Sequence, residues 1–125
     1  MYCAFPPAGS AAFGRSLGVV DLELDTFTHF PDSIFFDASP VIDEESGCAY
    51  WFNHSGLYRR SPDPDGELER ITKIPDFLRG RGVLQNMATH MTFSPDKKKL
   101  CFDAHVGDKF VFGDVEVATG EFTRW

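Results

Sequence analysis

The feature that most constrains the fold is a repeat. Residues 19–30, VVDLELDTFTHF, come back near the end of the chain as residues 113–125, GDVEVATGEFTRW. In our alignment Asp21 falls on Asp114 and, after a two-residue offset, Phe27 falls on Phe122. Each copy has the pattern of an alternating strand, a turn and a second strand. Because 125 residues are enough for one hydrophobic core and not for two, the copies must build one shared structure.

A looser third copy lies between these two. Residues 56–71, GLYRRSPDPDGELERI, contain SPDPDG as the turn, and Ile71 takes the place of Phe30 and Trp125. Pro, Asp and Gly are the residues that turns favour, so this segment is also predicted to be a pair of strands.

A second shared unit precedes the later copies. Residues 37–54 and 88–105 align at a spacing of 51, which places His54 on His105. Both segments have the pattern of a strand, an acidic turn and an apolar strand. One complete unit is therefore four short strands in a meander.

A four-stranded unit that recurs about every 40–50 residues is the sequence signature of a β-propeller blade. We therefore predict an all-β fold, a partial β-propeller of about two and a half four-stranded antiparallel blades. Residues 1–33 are expected to give the outer strands of one blade, 37–71 a second blade, 72–87 a connector and 88–125 a third blade.

Propellers close with roughly four to eight blades, so this chain holds about half of one. The remaining blades must come from the same or another chain. Two explanations stay open: a truncated or excised part of a longer propeller, which we expect, or a short protein that closes by assembling with itself.

Charge limits the classes of partner. The net charge is −7 and the pI is about 4.9, the wrong sign for gripping a phosphate backbone, so nucleic acid is not expected as a partner. Basic side chains fall at predicted turns and strand ends and are expected to be solvated surface: Arg59, Arg60, Lys97, Lys98 and Lys99.

Cysteines and apolar segments bear on the location of the protein. Cys3, Cys48 and Cys101 share no metal-ligand spacing, which indicates reduced thiols and favours a cytoplasmic protein. The first residues show neither a positively charged region nor a signal-length apolar run, and no segment approaches the roughly 18 apolar residues of a membrane span. We expect neither export nor a membrane partner.

One segment carries a family resemblance. Residues 89–103, THMTFSPDKKKLCFD, resemble the TolB-type (WD40-like) propeller repeat, whose core reads like S-P-D-G-K-x-L-x-F. Lys97 stands where that family commonly has its turn glycine, so we expect a turn of another type there. The matching positions are Ser94, Pro95, Asp96, Lys98 and Leu100.

Within that superfamily the chain is similar to the early blades of oligogalacturonate lyases, on residues 19–30, 56–71 and 73–82 (KIPDFLRGRG). The resemblance implies a seven-bladed enzyme that cuts pectin fragments by metal-assisted β-elimination. It also implies an acidic oligosaccharide as substrate and a divalent metal, Mn or Ca, as cofactor. The metal-binding histidines and the base of those enzymes lie mainly in later blades, so no catalytic or metal residue is carried over to this chain.

Blade topology nevertheless places several polar side chains at one end. His90 is expected near a first strand, and His54 and His105 in loops between second and third strands. Arg79 and Arg81 lie in the connector at the same end and could hold a carboxylate bidentately. Converging imidazoles could bind a divalent ion, or could act as a base that abstracts the proton beside the carboxyl group of a uronate. The competing interpretation is that the histidines bond loop backbone and that the arginines are solvated.

Aromatic side chains are predicted to pack between neighbouring blades, since strand alternation sends them to both faces of each sheet: Tyr50, Trp51, Phe52, Phe93, Phe102, Phe110 and Phe112.

Three functions remain in competition. The first is the lyase. The second is a non-catalytic TolB-like scaffold or binding module, in which the histidines would be replaceable. The third is a six-bladed lactonase-like propeller with a calcium site, for which Asn53, Asn86 and Asp103 are the available side chains.

Overall fold

The computed structural model describes residues 2–5, 15–35, 40–53, 55–78 and 88–125. In these ranges the chain is all-β, as predicted, with one short 3₁₀ helix at Asp76–Leu78. The strands are β1 (Tyr2–Phe5), β2 (Arg15–Asp21), β3 (Thr26–Phe35), β4 (Val41–Ile42), β5 (Ala49–Asn53), β6 (Gly56–Arg60), β7 (Leu68–Lys73), β8 (Ala88–Phe93), β9 (Lys99–Val106), β10 (Lys109–Glu116) and β11 (Phe122–Arg124).

The described strands form three antiparallel sheets. The first sheet has the order β1-β2-β3, the second β4-β5-β6-β7 and the third β11-β10-β9-β8. Every strand therefore pairs only with its neighbours in sequence. The predicted four-stranded antiparallel meanders are confirmed for the second and third sheets.

The two copies of the opening repeat are equivalent hairpins, but our alignment of their first halves is wrong by two residues. Val20 pairs with Phe27 in the first sheet, and Val115 pairs with Phe122 in the third. A single spacing of 95 therefore relates the hairpins, with no offset. Leu22 is consequently a turn residue, 72% exposed, and not a strand residue.

Backbone conformation explains where these hairpins turn. Asp25 has a φ of 51° and Gly120, at the equivalent position, a φ of 73°. Only glycine and a few short polar residues adopt this left-handed region readily. In the first hairpin the carboxylate of Asp21 also accepts hydrogen bonds from the N–H groups of Glu23 and Leu24, at 2.9 and 3.0 Å.

The turn between β8 and β9 differs from our expectation. Lys97 itself takes the left-handed conformation, with a φ of 58°, so the turn keeps the backbone shape that a glycine would give it. Its N–H donates to the carbonyl of Ser94 at 2.8 Å, and the Asp96 carboxylate accepts from the hydroxyl of Ser94 at 2.7 Å. The side-chain bonds of Ser94 and Asp96 stabilise the turn without a glycine.

The second sheet lies between the other two and is buried on both faces. Strand β5 shows this most clearly, because its side chains alternate between two separate clusters. Ala49 and Trp51 pack against the first sheet, while Tyr50 and Phe52 pack against the third; none of the four is more than 5% exposed. A strand buried on both sides reads as a continuous apolar run, which is the AYWF pattern seen here.

The contact between the first and second sheets, called here the first interface, combines apolar packing with a buried arginine. Arg60 is 4% exposed, so the prediction of a solvated side chain is wrong for this residue. Its Nε donates to the Ser33 hydroxyl at 2.6 Å and its Nη2 to both oxygens of Asp32, at 2.7 and 2.6 Å. The guanidinium also lies 4.3 Å from the ring centroid of Phe30, a favourable cation–π distance.

Strand alternation accounts for the burial of Arg60. It pairs with Ala49, and paired residues share a face of the sheet, so both are directed towards the first sheet. The charge is tolerated there because β3 supplies the acceptors that a buried guanidinium requires.

The contact between the second and third sheets, the second interface, is built from aromatic rings. Phe102 lies 5.6 Å from Phe52 and 5.8 Å from Phe122 between centroids, with steeply inclined planes. Tyr50 packs edge-on against Phe93 at 5.2 Å. These separations and tilts are the ones that aromatic pairs prefer.

The prediction that the aromatic side chains pack between sheets is confirmed for Trp51, Phe52 and Phe102, which are at most 4% exposed. It is wrong for Phe110 and Phe112, which are 65% and 51% exposed. The reason is alternation along β10, which directs these two side chains to the side of the third sheet that faces away from the second.

Candidate functional site

The third sheet has an outer face, on the side opposite the second sheet. Cross-strand pairs define it: Asp103 of β9 pairs with His90 on one side and with Phe112 on the other, so the three side chains share a face. The outer face includes His90, Cys101, Asp103, His105, Phe110, Phe112, Asp114 and Trp125.

His90 and Asp103 form a hydrogen-bonded pair at one end of this face. Nδ1 of His90 lies 3.0 Å from Oδ2 of Asp103, and the imidazole side chain is 84% exposed. Because a carboxylate can only accept, Nδ1 carries the proton and donates it. Nε2 is then the nitrogen that can take up a proton from outside, so the pair has the arrangement of an oriented general base.

His105 lies on the same face, two residues further along β9. It pairs with Phe110 and its ring stacks on the phenyl ring, with centroids 4.6 Å apart. The structure thus places two of the predicted histidines on one face of adjacent strands, but the prediction of a loop position is wrong for His105, which lies within β9. The other predicted site residues, His54, Arg79 and Arg81, lie outside the described residues.

The described residues contain no group of three or more His, Cys, Asp or Glu side chains that could hold a metal ion. Of the residues considered for a calcium site, Asn53 is engaged elsewhere in the fold. Asn53 donates to the carbonyl of Ile34 at 3.3 Å and accepts from the backbone N–H and hydroxyl of Ser55, so it serves the first interface and a turn. Asn86 lies outside the described residues.

Asp114 anchors the opposite end of the outer face. Its side chain is buried; Oδ2 accepts from the indole N–H of Trp125 at 2.7 Å, and Oδ1 lies 3.0 Å from the ammonium group of Lys99. Burial tends to raise the pKa of Asp114, but the bonds from Trp125 and Lys99 outweigh it and hold that pKa below its usual value. The charged carboxylate thereby fixes the indole ring on the outer face.

Three aromatic side chains form an exposed row on this face: Phe110, Phe112 and Trp125, at 65%, 51% and 68%. Large apolar side chains gathered on one surface usually mark an interaction site. The sequence pattern did not indicate this row, since an alternating strand looks the same whether its second face is covered or open.

Equivalent positions in the three sheets show how unusual this exposure is. Phe112 pairs with Asp103 as Leu57 pairs with Phe52, and the spacing of 95 places Leu17 at the same position in the first sheet. Leu17 and Leu57 are 1% and 0% exposed, whereas Phe112 is 51% exposed. The same position is thus covered by a following sheet twice and uncovered once.

A charged cleft of about 610 Å³ lies at the edge of the second interface. Two of its basic side chains form ion pairs: Arg59 Nε donates to Glu69 at 3.0 Å, and Lys97 reaches from the third sheet to Asp43 of the second at 2.8 Å. The cleft is lined by Arg59, Glu69, Ile71, Lys97, Lys98, Glu116, Val117 and Ala118.

These ion pairs shift the pKa values of their members. Lys97, followed by Ser46, lowers the pKa of Asp43 well below its usual value, and Asp43 in turn raises the pKa of Lys97. Two of the three basic side chains of the cleft, Arg59 and Lys97, are therefore already engaged by carboxylates.

No protein-family model matches the sequence, and comparison with characterised proteins and with solved structures returned no match. The TolB-type and lyase resemblances thus stay predictions that depend on the motifs in the sequence, as does the cytoplasmic location. No helix in the described part of the chain has the length and apolar character needed to cross a membrane.

Proposed function

We propose that this protein is a non-catalytic, propeller-type binding module whose working surface is the outer face of the third sheet. The observation that carries the proposal is the exposed row of Phe110, Phe112 and Trp125. Aromatic residues at the centre of a surface supply most of the energy of many protein contacts. The partner gains by covering side chains that water hydrates poorly.

The order of the sheets supports a propeller-type module. The second sheet covers the first with the face that contains Ala49, and the third covers the second with the face that contains Leu100. These residues are equivalent, because Ala49 pairs with Ile42 as Leu100 pairs with Phe93, at the spacing of 51. Each sheet thus covers its predecessor with one face and offers the other to a successor, which is how propeller blades stack.

The experiment compares two double variants for binding of an environment-sensitive apolar dye. Phe110→Ser with Phe112→Ser removes the row, while Leu22→Ser with Leu24→Ser removes two leucines that are each 72% exposed in a turn. We expect the first variant to lose most of the dye fluorescence and the second to keep it. Equal losses, or no dye binding by the parent protein at a dilution where it is monomeric, would overturn the proposal.

A second candidate is the lyase, favoured by the exposed pair of His90 and Asp103. An imidazole oriented by a carboxylate can accept the proton that lies next to the carboxyl group of a uronate. A bound Mn²⁺ or Ca²⁺ would supply charge neutralisation at that carboxylate. The residues that would hold the metal and act on the leaving group are not assigned.

Incubation of the chain with oligogalacturonate and either metal tests this candidate, with the ultraviolet absorbance of the unsaturated product as readout. The lyase predicts an activity that His90→Asn abolishes and that His29→Asn, on the first sheet, leaves unchanged. Absence of activity with both metals would exclude the lyase function for this chain.

A further inference from the structure

We propose that the occupant of the outer face is the first sheet of a second copy of this chain, so that two copies join head to tail into a closed ring of six sheets. This inference rests on the proposed function, since it names the partner of the same surface. Three steps carry it: the direction of stacking, the presence of both halves of the contact on one chain, and the closure of the ring.

The stacking has one direction in both interfaces. Phe102, at the spacing of 51 from Trp51, packs onto the second sheet as Trp51 packs onto the first. Each sheet therefore has a covering face, directed at its predecessor, and a receiving face, directed at its successor. Contacts of this type join unlike faces and are heterologous.

The outer face of the third sheet is a receiving face without a described successor. Its Phe112 is 51% exposed at the position where Leu17 and Leu57 are buried under the second and third sheets. The next sheet in the series would cover Phe112 as the third sheet covers Leu57. An apolar side chain stands at this position in all three sheets, although its cross-strand partner is Phe52 in the second sheet and Asp103 in the third.

The first sheet supplies the complementary covering face. Val20 and Phe27 form the same cross-strand pair as Val115 and Phe122, which cover the second sheet from the third. In the third sheet Val115 is 0% exposed, whereas in the first sheet Phe27 is 52% exposed. One chain thus presents a receiving face at one end of its stack and the corresponding covering face at the other.

Closure follows from the number of sheets. Repeated heterologous contacts give either a ring or an open filament. Two copies, each with the three sheets of its described residues, give six sheets, which falls within the roughly four to eight blades that close a propeller. A ring of two copies would contain two identical new contacts, each between a third sheet and the first sheet of the other copy.

Net charge acts against this assembly. Each copy carries a charge of −7, so two copies repel each other at low ionic strength. Salt screens exposed charges beyond about 10 Å at 0.1 M, while burial of Phe112 and Trp125 is not weakened by salt. The dimer is therefore expected to become more stable between low and moderate salt.

Sedimentation velocity of the full chain over a range of concentrations tests the inference. We expect a species of twice the 14.0 kDa chain mass. Phe112→Asp, on the receiving face, and Phe27→Asp, on the covering face, should each give monomers at concentrations where the parent is dimeric. Leu24→Asp, in an exposed turn, should leave the dimer intact, and near-ultraviolet circular dichroism should confirm that all three variants are folded.

Mixing the two disrupted variants makes the test specific for a head-to-tail contact. The Phe112→Asp copy keeps an intact covering face and the Phe27→Asp copy keeps an intact receiving face, so the mixture should recover one contact and form dimers. A dimer that is lost in Phe112→Asp but kept in Phe27→Asp would instead show two outer faces meeting each other, and would overturn the inference.

Other outcomes separate the inference from the proposed function. A parent chain that stays monomeric at all concentrations and salts, yet binds dye through Phe110 and Phe112, excludes the second copy and leaves the binding module in place. A mass that keeps growing with concentration indicates a filament and excludes the ring. Loss of dye binding by the turn control as well removes both proposals together.

Discussion

The two interfaces of the stack join sheets in the same manner with different chemistry. At the first interface a buried guanidinium reaches across to Asp32 and Ser33, and the indole N–H of Trp51 donates to the carbonyl of Ile34 at 3.1 Å. At the second interface Phe52, Phe102 and others meet through their rings. Charged side chains lie only at the rim of the second interface.

The difference teaches what each type of contact contributes. Hydrogen bonds to a buried arginine have strict geometry, so the first interface fixes the position of one sheet on the other. Aromatic packing buries more apolar area and tolerates small displacements, so the second interface supplies more of the stabilisation. In such a stack, one interface can therefore fix the relative position of two sheets while the next interface provides more of the stability.

The largest effect is expected from Phe102→Ala, which breaks the second interface. Removing a ring that is 4% exposed should lower the free energy of unfolding by about 3–5 kcal/mol. Phe112→Ala, on the other face of the same sheet, should cost less than about 1 kcal/mol in dilute solution, where the chain is monomeric. Urea unfolding measures both; similar costs would show that the two faces of the third sheet are equally covered.

Next in size is Arg60→Ala, which breaks the first interface. The variant loses the bonds to Ser33 and Asp32 and the contact with Phe30, and we expect a loss of about 2–3 kcal/mol, less than for a fully buried pair because the Asp32 side chain is 56% exposed. Arg59→Ala is the control: its pair with Glu69 is exposed and should be worth about 0–1 kcal/mol, although the variant also removes a hydrogen bond with Tyr50. Equal losses would contradict the structural role given to Arg60.

Trp51→Phe sharpens the comparison at the level of one hydrogen bond. The variant keeps an aromatic ring and leaves the carbonyl of Ile34 with the longer bond from Asn53 as its side-chain donor, so unfolding should become easier by about 1 kcal/mol. Trp125→Phe removes an indole donor as well, from a ring that is 68% exposed, and should cost less. Far-ultraviolet circular dichroism is the suitable probe, because it does not depend on tryptophan.

The smallest effect concerns the rim of the second interface and appears only in acid. Lys97 lowers the pKa of Asp43, so the folded protein keeps this carboxylate charged at pH values where the unfolded chain has protonated it. The unfolded state then binds more protons, so the free energy of unfolding decreases as the pH decreases. The contribution is complete above the ordinary pKa of 3.8 and is lost as pH falls through the lower folded value.

Urea midpoints measured between pH 5 and pH 2 check this expectation. Lys97→Met should show a shallower loss of stability with acid than the parent protein, whereas Lys98→Met should keep the parent slope. A parent-like slope in Lys97→Met would mean that the ion pair does not set the acid response.

The strands and their meander order could be predicted because alternation and turn residues are local properties. The position of the first hairpin could not be fixed in the same way. A slip of two residues preserves alternation, so Leu22 and Leu24 fit a strand as well as Val115 and Val117 do. The left-handed conformation at Asp25 and Gly120, which places both turns, is only weakly encoded by residue type.

The burial of the charged Arg60 side chain could not be predicted from the sequence, for a different reason. The acceptors of Arg60 lie at Asp32 and Ser33, nearly thirty positions earlier, and only the stacking of two sheets brings them together. The pairing of His90 with Asp103 was within reach, because counting outward from the turn at Ser94 along the hairpin leads from Phe93 and Leu100 to this pair. The exposure of Phe112 depends on what lies beyond its sheet, and no local pattern records that.

The meander order of the strands has a mechanical consequence. Since each strand bonds only to its sequence neighbours, nothing in the described sheets is threaded through anything else. Force applied to the chain ends would peel strands away in sequence, from β1 and β11 inward. The residues around Arg60 would resist longest, because their bonds cross between sheets and must be sheared together.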